Sequence, residues 1–164
     1  MKESFYQKGL PDNLKKNTVM RKIHKNTFTY AWHYKEAKEV VEWLKLNNYI
    51  IDTIQVFKQP ISGQVNISQP VDMEYSGYSW TYQGDRNKNK QENIDANLLN
   101  AQKFIDELHS KFADNFVYEI CFTSENEMNE IIREFYYKSI IHSGFNFDVQ
   151  EALEIIEKCQ SIGK

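Results

Sequence analysis

The chain predicts an α+β fold, an antiparallel sheet with ferredoxin-like (βαββαβ) element order plus two extra C-terminal helices. Three observations predict it. Apolar residues alternate with period two over 27–33 and 115–123. They recur at three- and four-residue steps over 34–48 and 94–112. Two further amphipathic stretches follow residue 123.

The elements follow in order. Residues 1–26 are polar and basic, with "GLPDN" as a turn signal, and read as a basic N-terminal arm or irregular lead-in. The remainder, 27–164, reads as a single α+β domain, a length one core can serve. "TFTYAWH" (27–33) sets Phe28, Tyr30 and Trp32 on one side of a strand. "YKEAKEVVEWLKLNN" (34–48) turns helical, with Ala37, Val40, Val41 and Leu44 as its stripe. Asn47 and Asn48 suit its C-terminus. "YIIDTIQVF" (49–57) is a β-branched strand, and "QVNIS" (64–68) a third after a turn. Pro70 marks an edge or a break.

Val71, Met73 and Tyr75 then alternate on odd positions, whereas Tyr78, Trp80 and Tyr82 alternate on even ones. A period of two changes phase only through an inserted residue or a turn, so Ser76-Gly77 is a bulge or a hairpin tip. A polar loop, "QGDRNKNKQ" (83–91), leads into the longest helix. Its seam is Ile94, Leu98, Ala101, Ile105, Leu108 and Phe112. "NFVYEICFT" (115–123) is the next strand. Helices are expected over 123–141 and 147–163.

Composition narrows the class. Cys121 and Cys159 form no CxxC pair, and a reducing compartment is the plainer reading. The N-terminus lacks the apolar core of a signal peptide and no apolar run is long enough to span a membrane. A cytoplasmic location and no membrane partner are expected. The net charge of −3 is uneven. Residues 1–26 balance at +5 and residues 106–157 at −9.

No nucleotide-binding, zinc-protease or nucleophile-elbow motif occurs, and the four histidines fall in separate elements. No cofactor and no metal site are expected. The enzyme alternative is a Cys/His site assembled from distant residues, His33 and Cys121, since a thiolate needs a base or a positive neighbour. A second alternative is a nucleic-acid binder using Lys15, Lys16, Arg21, Lys22 and Lys25 of the basic segment. The acidic remainder opposes it, and the strand aromatics share the core parity rather than forming a stacking face.

Two features point to protein binding. Tyr75, Tyr78, Trp80 and Tyr82 crowd a short stretch spaced by Ser, Gly and Thr, the vocabulary of binding loops. The same alternation also suits a half-buried strand, so these rings are either core or surface. Glu127, Glu130 and Glu134 share one helical face, and Glu151, Glu154 and Glu157 another. Either face is ordinary solvated helix or a negative surface for a basic partner. The expectation is a small inhibitor of the immunity or anti-defence type. It docks a basic protein through the acidic face and the aromatic-rich loop.

Overall fold

The computed structural model describes residues 1–60, 69–82, 84 and 87–124. The chain divides into two units, Met1–Thr123 and Ser124–Lys164. The strand expected at 64–68 and the bodies of the helices expected over 123–141 and 147–163 lie outside the described residues.

The described residues form a mixed α+β unit, a six-stranded, mostly antiparallel sheet with two helices. The strands are β1 (Lys2–Glu3), β2 (Thr18–His24), β3 (Thr27–Trp32), β4 (Tyr49–Lys58), β5 (Tyr75–Thr81) and β6 (Phe116–Ser124). The helices are α1 (Tyr34–Leu46) and α2 (Lys90–Phe112). From β3 onward the described elements run strand, helix, strand, strand, helix, strand, with β5 (Tyr75–Thr81) as the strand described before α2. In space β6 lies between β3 and β4, and β5 is outermost, in the order β1-β3-β6-β4-β5. β2 pairs antiparallel with β3, in register from Thr18↔Trp32 to His24↔Thr27 with a shift near its end.

The segment 1–26, read from sequence as an arm or lead-in, here carries β1, two 3-10 turns and β2. Leu10 and Leu14 are buried in the main core. The other edge of β3 meets three partners in succession. β1 pairs in parallel at Thr27 and Phe28, and β6 pairs antiparallel at Trp32↔Tyr118. Between them stands a side chain. Gln7 Nε2 donates to the carbonyls of Tyr30 (2.8 Å) and Ile120 (3.0 Å), and the Tyr30 amide donates to Gln7 Oε1 at 2.7 Å. The antiparallel register would put Tyr30 opposite Ile120, so the amide occupies the rung the two strands would share. Buried backbone groups must find partners, and this one glutamine serves three of them.

α1 buries Ala37, Val40, Val41 and Leu44, and Asn48 ends it at φ +57°, a conformation asparagine tolerates. α2 starts at Asn89, whose side chain accepts from the Glu92 amide at 2.9 Å and donates to the Glu92 carboxylate at 3.1 Å. Its seam from Ile94 to Leu108 joins the α1 stripe, Trp32, Ile54, Tyr118 and Phe122 in one core on one face of the sheet. The opposite face holds a smaller cluster, Val19, Ala31, Phe57 and Val117, with Val71 and Met73 packed on it. The stretch 69–74 joins two parts of the sheet. Val71 exchanges backbone bonds with Met20 and Lys22 of β2, and the Glu74 carbonyl accepts from the Lys58 amide of β4.

Candidate functional site

The irregularity expected at Ser76-Gly77 is a bulge within one strand, not a hairpin tip. β5 pairs with β4 at Gln55↔Ser79 and Phe57↔Tyr75, so three residues of β5 oppose Val56 alone. Gly77 takes φ +92°, which a side chain would strain. Ser76 Oγ donates to the Val56 carbonyl at 2.6 Å and accepts from the Tyr78 amide at 3.1 Å. The bulge's two extra residues keep the alternation in step, and the odd and even rings fall on opposite faces of the sheet. Tyr75 lies against Phe57 (5.8 Å between centroids), while Tyr78 lies against Phe112 and Phe116 (5.4 and 6.0 Å) on the helix side.

Tyr75 is 49% exposed and Tyr78 41%. Among the described residues they are the exposed Phe, Tyr or Trp side chains; every other such ring is half-buried or buried. Trp80 and Tyr82 pack against the main core. The question of core or surface therefore splits, with the first two rings on the surface and the second two half inside.

Trp80 and Tyr82 also wall a cleft of about 360 Å³ between the end of β5 and the first half of α2. Its helix side is Asn93, Ala96, Asn97 and Asn100, spaced to share one face. Asn97 is buried and fixed. The Ile51 amide donates to its Oδ1 at 2.9 Å, and its Nδ2 donates to the Ile51 carbonyl at 2.8 Å. A side-chain amide thus serves the β4 backbone two residues beyond the Thr53↔Thr81 pair. Lys88 stands at the rim. Neither Lys88 nor the asparagines were singled out in the sequence, although the spacing in "NIDANLLN" shows the amide stripe beside the apolar seam.

A buried polar network crosses the sheet face opposite the helices. Glu119, only 3% exposed, accepts from Arg21 Nε (2.5 Å) and Nη2 (3.1 Å) and from the Thr29 hydroxyl. The guanidinium also sits 4.5 Å from the Phe57 ring centroid. Cys121 lies beside Glu119, its sulfur 3.9 Å from Oε1. Burial, and then the Glu119 charge, push the Cys121 thiol well above its ordinary range. His33 does not meet it. The β3–β6 register sets His33 opposite Val117, four residues along β6 from Cys121, or roughly 14 Å of strand. The two residues of the Cys/His alternative are thus apart, and the thiol is held in its unreactive form. Nearby, burial pushes the Asp52 carboxyl up to about 7, opposed by a 3.3 Å bond from the Thr123 hydroxyl.

Between the helices, Tyr34 stacks on His109 at 3.6 Å, and its hydroxyl donates to Asp106 at 2.8 Å. Lys38 donates to the same carboxylate oxygen at 3.0 Å. The Tyr118 hydroxyl is buried without a partner.

Of the basic segment, Arg21 is engaged by Glu119 and Lys15 by Glu3 at 2.8 Å. Two of the five cations of the nucleic-acid alternative are therefore held by carboxylates within the fold. Glu127, Glu130 and Glu134 lie outside the described residues. Among the described residues no group of three or more His, Cys, Asp or Glu is placed to hold a metal, and no helix is long and apolar enough to cross a membrane. No protein family, curated protein or solved structure matches the chain.

Proposed function

We propose that the chain is a protein-binding inhibitor of the immunity or anti-defence type, and that β5 is its docking edge. The exposure of Tyr75 and Tyr78 on the outermost of the described strands carries the reading. Large rings left in water on one strand, one on each face of the sheet, offer contact area that a partner wrapping that strand can desolvate at low entropic cost. The Gly77 bulge supports it, because it interrupts the ladder and discourages indiscriminate edge pairing. The partner is basic in this reading, drawn by the −9 balance over 106–157, with Glu127, Glu130 and Glu134 as the acidic contacts.

The test is a pull-down from host lysate with the wild-type chain and with the Tyr75→Ser/Tyr78→Ser double variant, repeated across salt. A basic protein held by the wild type should be lost from the double variant and released at high salt. Equal retention by both would refute docking at β5. Retention independent of salt would refute the acidic contribution.

A further inference from the structure

The cleft between β5 and α2 has no part in the docking edge, since neither Tyr75 nor Tyr78 lines it. From its chemistry we propose that it is a small-molecule site for a mononucleotide, with the base against Trp80 and Tyr82, its polar edge at Asn100, and the phosphate at Lys88.

Four observations carry this. The volume, about 360 Å³, falls in the range of small-ligand sites. Two aromatic side chains of β5 and the residues just after it form one wall, and planar bases stack on such rings. The facing wall is amide. Asn97 is committed to the Ile51 backbone and makes a fixed floor, whereas Asn100 is exposed and bonded to nothing. An unengaged carboxamide presents one donor and one acceptor side by side, the pattern that reads the edge of a base. Finally, Lys88 is exposed, makes no ion pair among the described residues, and stands beside the amino end of α2. Its backbone carbonyl is tied to Asn93 Nδ2 at 3.2 Å, which anchors the residue at the rim. None of the described lining residues is acidic, in a chain of net charge −3. An amine without a carboxylate partner at the rim suits an anion, and it suits the point charge of a phosphate.

The arrangement also makes a sugar phosphate or a bare nucleoside a poorer ligand than the whole. The first lacks the ring for Trp80 and Tyr82, and the second lacks the charge for Lys88.

The experiment is equilibrium binding of the full chain to AMP, CMP, GMP and UMP by calorimetry, with adenosine and ribose 5-phosphate as the two partial probes. At least one mononucleotide should bind with a dissociation constant below about 1 mM. Both partial probes should be weaker by roughly tenfold. Lys88→Ala should remove the advantage of AMP over adenosine. Asn100→Ala should weaken nucleotide binding several-fold and change the order of preference among the four bases. Both positions are exposed, so neither substitution threatens the fold. No saturable binding by any of the four overturns the proposal. So does binding that both variants leave unchanged, or ribose 5-phosphate matching the nucleotides. Failure here leaves the β5 docking edge untouched, because the probes never meet Tyr75 or Tyr78.

Discussion

Gln7 is the residue whose removal tests the sheet most directly. It is 2% exposed, and its amide satisfies one amide hydrogen and two carbonyls of β3 and β6. Gln7→Ala deletes the amide and leaves all three groups buried. Each buried group left without a partner costs about 1–3 kcal/mol, and water entering the vacated space returns part of that. The expected loss is about 3 kcal/mol. With a urea slope near 2 kcal/mol per M, the midpoint should fall by roughly 1.5 M. Gln7→Glu adds a sharper test. It keeps the shape but replaces the Nε2 donor by an acceptor facing two carbonyls. The carboxyl then folds only when protonated, so its folded pKa is raised. Stability of that variant should fall as pH rises through the carboxylate range, relative to Gln7→Ala. Amide hydrogen exchange at Tyr30 should speed up in both variants, since its acceptor is Gln7 Oε1. A loss below about 1 kcal/mol in Gln7→Ala, with Tyr30 exchange unchanged, would refute the bridging role.

Asp52 makes stability depend on pH. Its folded pKa is raised to about 7 by burial, so folded and unfolded chains both hold the proton below the ordinary carboxylate range. Between about pH 4 and 7 the unfolded chain ionises first, and stability should fall by roughly 4 kcal/mol as pH rises. Asp52→Asn should flatten that slope in urea titrations; an unchanged slope would show that another group causes it. Arg21→Met strands the Glu119 carboxylate and should cost about 3 kcal/mol, most of it recovered in Arg21→Met/Glu119→Leu. Simple additivity of the two single losses would argue against the pair. In a Cys159→Ser background, Cys121 should react with a disulfide reagent only as fast as the protein opens, because its thiol is buried and held protonated. Labelling at the rate of a free thiol would restore the Cys/His alternative.

The sequence by itself determined the elements whose faces differ strongly in polarity. α1, α2, β4 and β6 follow their periodicities closely, because a stripe of Val, Leu and Ile has one low-energy place, against another such stripe. It also pointed to a break in regular pairing at Ser76-Gly77 and to Tyr75 and Tyr78 not sharing one face. Tertiary structure decided what local spacing does not encode. The run "TVMRKIHKNTFTYAW" (18–32) holds a hairpin with mixed polarity on β2. Its charged members hid the strand, and Arg21 belongs there only because Glu119, 98 residues away, meets it. Gln7 gave no signal of its role, and the spacing of Asn97 and Asn100 showed a stripe but not its purpose, because a side-chain amide is neutral in pattern until the strand it completes, or the cleft it faces, is brought beside it. The aromatic stretch was divided in the same way. Alternation set Tyr75 apart from Tyr78, Trp80 and Tyr82 but left open which rings are core. In the fold, with β5 at the end of the described sheet, Tyr75 and Tyr78 stand in water and Trp80 and Tyr82 pack against the core.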